Sequence, residues 1–257
     1  MDLIAQTINI NAPLLSSESV NLVAGNQLVT PSTTGASGTT YTFSANGSSN
    51  TAASMGGTTS IDASAYGSVT SGQVFIVSTA AGMGVNQLGA LEASAGNVSV
   101  SSNGDVTLGA VAANEDVSVS ASGNASITAA GLANETYSIN AQGDIDATGS
   151  VEAGGDISLT SGNDILATSV ASNGNAVLTA ANSITLAAIS ASAISIRATG
   201  GSVDITSALA ASGDVSASAG SNLAIAGTLQ SGGSVGLSAG LDATLGGALS
   251  AVGNVSL

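Results

Sequence analysis

From about residue 90 to its end the chain repeats a phrase of 19–21 residues, opened by Leu91, Val111, Leu132, Val151, Val170, Ile189, Leu209, Leu229 and Leu249. About six residues after each opening comes a short alternating segment: Val98-Ser-Val100, Val117-Ser-Val119, Tyr137-Ser-Ile139, Ile157-Ser-Leu159, Ile194-Ser-Ile196, Val215-Ser-Ala217, Val235-Gly-Leu237 and Val255-Ser-Leu257. About eight residues later, in most copies, comes a second: Val106-Thr-Leu108, Ala125-Ser-Ile127, Ile145-Asp-Ala147, Ile184-Thr-Leu186, Val203-Asp-Ile205 and Leu223-Ala-Ile225. Apolar-polar-apolar alternation is the signature of a strand with one buried face. The Gly-Asn, Gly-Asp, Gly-Gly and Asn-Gly pairs between the segments are turn chemistry. Strands this short cannot hold a hairpin protein together, but stacked in register on the next copy they become long parallel sheets. The expected fold is therefore all-β: a parallel β-helix, right-handed as strand-crossover-strand connections generally are, with three short strands and three corners per coil. Residues 90–257 would form a shaft of about eight to nine coils, roughly 40 Å long at about 4.8 Å per coil.

The corners carry a second periodicity. Asn97, Asp116, Asp156, Asn175, Asp214 and Asn254 precede the first strand, and Asp105, Asn124, Asp144, Asp164, Asn222 and Asp242 precede the second. Asn and Asp bond nearby backbone and suit tight turns, which is the plain reading. Stacked one coil apart, Asn side chains can bond each other. Two Asp such as Asp144 and Asp164 would repel, which leaves a raised pKa or a bound cation. Asp144 and Asp164 are thus the calcium candidates, although the G-G-x-G-x-D nonapeptide of calcium-binding β-rolls does not occur.

Composition closes other routes. The chain has 257 residues with sixteen Asp/Glu, one Lys/Arg (Arg197), no His and no Cys, for a formal charge of -15. Zinc sites of the usual kind, His-activated nucleophiles and the P-loop lack their residues. Nucleic acid repels so acidic a surface. Hydrophobic residues reach 44% while aromatics are 2%, so the core is aliphatic, and no apolar run approaches the roughly 20 residues of a membrane span. The best carboxylate pairs, Glu115–Asp116, Asp144 with Asp146, and Asp204 with Asp214, have no accompanying base, and Asp146 and Asp204 fall at outward strand positions. The chain reads as a non-enzyme without a cofactor. Arg197 is expected at a water-facing corner and Tyr137 in the core. The Asn-x-Ser/Thr sequons at Asn46, Asn97, Asn124, Asn134 and Asn254 read as turn residues followed by strand Ser or Thr. Strand centres with single Ser residues argue against an ice-binding face, which needs regular Thr-x-Thr ranks.

Residues 1–89 are less regular. Leu3-Ile4, Ile8-Asn-Ile10, Val20-Asn-Leu22 and Gln73-Val-Phe-Ile-Val77 resemble further strands, the last followed by a Gly82-Met-Gly84-Val85 turn. Residues 30–60 are rich in Ser, Thr and Gly and form an expected extra-helical loop or hairpin, with Tyr41 and Phe43 as an apolar island. Loops on a rigid scaffold carry binding more often than the scaffold does, so Tyr41 and Phe43 are the ligand-binding candidates.

The stretches DLIAQTININAPLLSSESVNLVAGNQLV and SIDASAYGSVTSGQVFIVSTAAGMGVNQLGALEASAGNVSVSSNGDVTLG resemble the later part of the secretion domain of filamentous haemagglutinin-type exoproteins of two-partner secretion. Ile61-Asp62, Tyr66-Gly67, Val74 to Val77, Thr79, Gly82-Met-Gly-Val85, Gly89 and Ala95-Gly96 fall in order into the phrase that closes that domain. The later repeats resemble the family's shaft repeats. The resemblance implies residues 1–89 as the later part of a secretion-domain-like β-helix and 90–257 as shaft. It implies export through an outer-membrane partner transporter, and secretion or display at the surface of a Gram-negative bacterium. It further implies a role in attachment through an unspecified receptor on host or bacterial cells. Two alternatives accompany it: the passive stalk of a contact-dependent toxin-delivery exoprotein, and a structural surface-layer or matrix protein. The family's signal peptide and NPN-type motifs are not in this sequence, and Leu257 falls in mid-coil, so the expectation is a piece of a larger exoprotein.

Overall fold

The computed structural model describes residues 1–25, 27–35, 38–45 and 58–257, with side chains outside 27–29 and 31–45. The described residues contain strands and turns and no helix. They wind into a parallel β-solenoid of about 11 turns at a spacing of about 20 residues. One coil shows the construction. Val98–Ser102 lies on the first face, Val106–Leu108 on the second and Val111–Ala113 on the third. Each strand pairs in parallel with its counterpart one coil later, Val98 with Val117, Val106 with Ala125 and Val111 with Gly131.

First-face strands build a 12-stranded sheet that runs without a break from Asp2–Ala5 to Val255–Ser256. The second and third faces join into an 18-stranded sheet. They merge because Ile145–Ala153, Ile165–Ser172, Ile184–Ala191 and Val203–Ala211 continue across the corner between them. Gln27–Gly35 and Gly38–Ala45 stand apart as a two-stranded antiparallel sheet, in the stretch where an extra-helical excursion was expected.

The strand pleat sends alternate side chains inward, and parallel register stacks them into columns. One column reads Val98, Val117, Tyr137, Ile157, Ala176, Ile194, Val215 and Val235, each between 0% and 2% exposed. Burying a Val or Ile side chain contributes about 1.5–3 kcal/mol. A long column of such residues therefore replaces the disulfides a Cys-free chain cannot form.

Two expectations change. Leu132 is not the inward residue of its coil: Gly131 pairs with Val111, and Leu132 faces outward at 43% exposure. The reason is Tyr137. A Cβ built on Gly131 would stand 2.5 Å from the Tyr137 hydroxyl oxygen and 2.8 Å from two of its ring carbons. The phenol ring occupies the volume an aliphatic residue fills in neighbouring coils. Arg197 also moves: it lies within the strand Ala193–Ala198, between Thr179 and Ser218 on the outer first face, rather than at a corner.

Three further strands were not among the segments expected from the sequence, although Ala243-Thr-Leu245 does alternate. Ala176-Val-Leu178, Ile165-Leu-Ala167 and Ala243-Thr-Leu245 occupy regular places in the ladders. In the first two an outward aliphatic, Val177 or Leu166, hides the pattern. First-face strands of five residues carry two outward positions, so Ser99 and Ser101, Ser118 and Ser120, and Ser158 and Thr160 form two files of hydroxyls. Asn140, Val177, Arg197 and Gly236 interrupt the files.

At the N-terminal end the turn after Gln73–Ser78 needs Gly82, whose φ of 74° is in the left-handed region. The turn is held by buried hydroxyls. Ser78 Oγ donates to the Met83 carbonyl at 2.6 Å, Ser60 Oγ to Ser78 Oγ at 2.6 Å, and Ser102 Oγ to the Met83 carbonyl at 3.0 Å.

Candidate functional site

The polar residues concentrate at the corners, where they form two inter-coil relays. At the corner before the first face, the backbone N–H of Asp116 donates to Asn97 Oδ1 at 2.9 Å. Thr136 N–H donates to Asp116 Oδ1 at 2.9 Å, Asn175 N–H to Asp156 Oδ1 at 2.6 Å, and Ser234 N–H to Asp214 Oδ1 at 2.7 Å.

The corner before the second face carries a longer relay. Asn124 N–H donates to Asp105 Oδ1 at 2.8 Å, Asp144 N–H to Asn124 Oδ1 at 2.8 Å, Asp164 N–H to Asp144 Oδ1 at 3.1 Å, and Ser183 N–H to Asp164 Oδ1 at 2.7 Å. It continues through Ser202 N–H to Ser183 Oγ at 3.1 Å, Asn222 N–H to Ser202 Oγ at 3.3 Å, and Asp242 N–H to Asn222 Oδ1 at 3.3 Å. In every one of these bonds the corner side chain accepts the N–H of the residue that occupies its own place one coil later. A corner breaks the strand ladder and would leave that donor without a strand partner; the side-chain oxygen supplies one.

This geometry explains how Asp144 and Asp164 can stack. Between them lies the Asp164 N–H, and each carboxylate takes a second donor from a neighbouring amide. Asn163 Nδ2 donates to Asp144 Oδ1 at 2.6 Å and Asn182 Nδ2 to Asp164 Oδ1 at 2.8 Å. Donors aimed at an ionised carboxylate offset the repulsion between like charges. Asp105, Asp144, Asp146, Asp164, Asn124 and Leu166 line a shallow groove of about 450 Å³. Among the described residues no group of three or more Asp or Glu stands close enough to hold a metal ion.

Asp146 sits between Ser126 and Leu166 in the second-face register and is half-buried, while Asp204 is exposed. Asp146 Oδ1 is buried without a hydrogen-bond partner, so the outward position is only partly solvated there. A second shallow groove, of about 420 Å³, is lined by Ser172, Ser190, Ser212, Asn173 and Gln230.

Tyr41 and Phe43 fall on Gly38–Ala45, opposite Pro31 and Val29 in the antiparallel pair; their side chains lie outside the described residues. Glu115 and Asp116 are half-buried corner neighbours, and Asp116 is engaged by Thr136 through both N–H and hydroxyl, the latter at 2.6 Å.

The sequence pattern pointed to Asn and Asp but not to the Ser residues that take the same part, Ser183 and Ser202 in the second relay and Ser234 in the first, nor to the amide clamps Asn163 and Asn182. The signal that finds them is position: Ser183 and Ser202 are 19 and 38 residues beyond Asp164. Asn side chains one coil apart were expected to bond each other, and one such contact forms outside the two relays. Asn134 Nδ2 does donate to Asn114 Oδ1 at 3.1 Å, whereas Asn124 uses its oxygen for backbone instead. Among the described residues no helix is long and apolar enough to cross a membrane. Comparison with family models, with curated proteins and with solved structures gives no match to this chain.

Proposed function

We propose that this chain is a rigid shaft segment of a surface-displayed, adhesin-type exoprotein that supports attachment to cells or surfaces. The observation that carries this reading is the first-face sheet, whose 12 strands continue in parallel through every coil from one end of the chain to the other. Such a ladder makes a long object from short strands. Each coil needs only its neighbours, so folding can advance coil by coil as the chain emerges. The formal charge of -15 keeps rods apart in solution. Export through an outer-membrane partner transporter rests on the resemblance of residues 61–109 to the secretion domain of filamentous haemagglutinin-type proteins.

The corner carboxylates favour the shaft reading within this proposal. Asp105, Asp116, Asp144, Asp156, Asp164 and Asp214 each accept an N–H from the next coil, which is work of construction. The test is attachment of fluorescent beads coated with the folded chain to epithelial cells and to bacteria. Saturable attachment that is lost on deleting residues 30–60 assigns binding to the excursion. Absence of attachment by folded chain refutes an adhesive role for this segment and leaves a stalk.

A further inference from the structure

Asn-Gly bonds are chemically vulnerable. The glycine backbone nitrogen attacks the asparagine side-chain carbonyl carbon, a C–N bond forms, ammonia leaves, and a five-membered succinimide results. Water then opens the ring to aspartate or isoaspartate. Glycine permits the attack because it has no Cβ to hinder the approach. The sequence contains Asn46-Gly47, Asn103-Gly104 and Asn173-Gly174. The first lies outside the described residues, and the other two are solenoid corners whose asparagines are exposed.

We propose that Asn103 and Asn173 are latent succinimide-forming sites held shut by the hydrogen bonds of their own corner and by the coil beneath them, so that they convert only when the corner opens. Both nucleophiles are engaged: Gly104 N–H donates to Ser102 Oγ at 3.1 Å, and Gly174 N–H to the Gly155 carbonyl at 3.1 Å. At the first site the electrophile is held too, since Asn103 Nδ2 donates to the Thr79 carbonyl at 2.7 Å.

The glycines also pack closely against the preceding coil. A Cβ on Gly104 would stand 2.7 Å from the Met83 carbonyl carbon and 2.9 Å from the Gly84 nitrogen. On Gly174 it would stand 2.8 Å from the Gly155 carbonyl carbon and 2.9 Å from the Asp156 nitrogen. Ring closure therefore requires the corner to lift off the preceding coil, and conversion reports how often it does. An isoaspartate, once formed, inserts an extra backbone carbon into a coil whose length sets the register of all three faces.

The experiment is peptide mapping by mass spectrometry of the full chain after incubation in mildly alkaline buffer, folded and in urea. Asn103 and Asn173 are expected to convert at least about tenfold more slowly in the folded chain, a factor equivalent to about 1.4 kcal/mol. Ser102→Ala removes the acceptor of the Gly104 N–H, and with it the Ser102 donations to Met83 and Asp105. It is expected to speed conversion several-fold at Asn103 and leave Asn173 unchanged. Equal rates in folded and urea-unfolded chain overturn the proposal. Equal acceleration of both sites by Ser102→Ala overturns the local hold assigned to Ser102. If that variant loses its β-sheet spectrum, the comparison of folded and unfolded unchanged chain decides alone.

Discussion

Tyr137 and Gly131 form a compensating pair, and perturbing either one tests the packing argument. The Tyr137 ring is fully buried and its hydroxyl has no hydrogen-bond partner. A buried polar group left unsatisfied costs about 1–3 kcal/mol. Tyr137→Phe keeps the ring and removes the hydroxyl, so it is expected to raise stability by about 1 kcal/mol, the lower end of that range. Gly131→Ala places a methyl 2.5 Å from the hydroxyl oxygen and 2.8 Å from ring carbons, and overpacking of this kind costs about 1–3 kcal/mol. Combining Gly131→Val with Tyr137→Val restores the aliphatic columns of the flanking coils, Val111 and Val151 in one and Val117 and Ile157 in the other.

Urea denaturation followed by far-ultraviolet circular dichroism reads all three variants and, with the single Val variants, closes the double-mutant cycle. A coupling beyond about 0.5 kcal/mol is the expectation. Additive effects within that margin, or destabilisation by Tyr137→Phe, refute the reasoning. Alkaline pH gives a second readout. Burial pushes the Tyr137 phenol well above its ordinary value. The folded chain holds this proton more tightly than the unfolded chain, so the contribution is intact below about pH 10 and declines as pH rises above it. The slope is about 1.4 kcal/mol per pH unit until the folded-state phenol itself ionises, and Tyr137→Phe is expected to remove that share.

Other outcomes follow from the corners and the repeat. Asp144→Ala removes the acceptor of both the Asp164 N–H and the Asn163 amide; the half-buried site is expected to lose about 1 kcal/mol, while Asp144→Asn, which keeps the oxygen, stays within about 0.5 kcal/mol. Thermal unfolding with and without calcium is expected to coincide, because Asp144 and Asp164 already take N–H donors; a calcium-dependent rise in the midpoint would assign them an ion. Deleting residues 157–175 joins Asp156 to Ala176, the residue that pairs with Ile157 one coil on. That chain is expected to keep its β-sheet spectrum and cooperative unfolding, whereas deleting 157–166 alone is expected to lose both.

The repeat itself, the inward and outward parity of the strands and the acidic corners could all be read from the order of residues. Each depends on short-range sterics: the pleat alternates side chains whatever surrounds it, and Asx residues suit tight turns wherever they occur. That is why the β-solenoid was legible and why most of its core was too. Asp144 and Asp164 were recognisable as a stacked pair for the same reason.

What a corner side chain bonds to was decided only in three dimensions. Asx oxygens were expected to serve their own turn, yet Asp105 reaches the N–H of Asn124, 19 residues away. A partner across coils exists only once register is set, and register sums the lengths of three strands and three corners. The displacement of Leu132 by Gly131 has the same origin. Alternation alone favours the leucine, but the neighbouring volume belongs to the Tyr137 ring, and only the tertiary packing brings Tyr137 against residue 131.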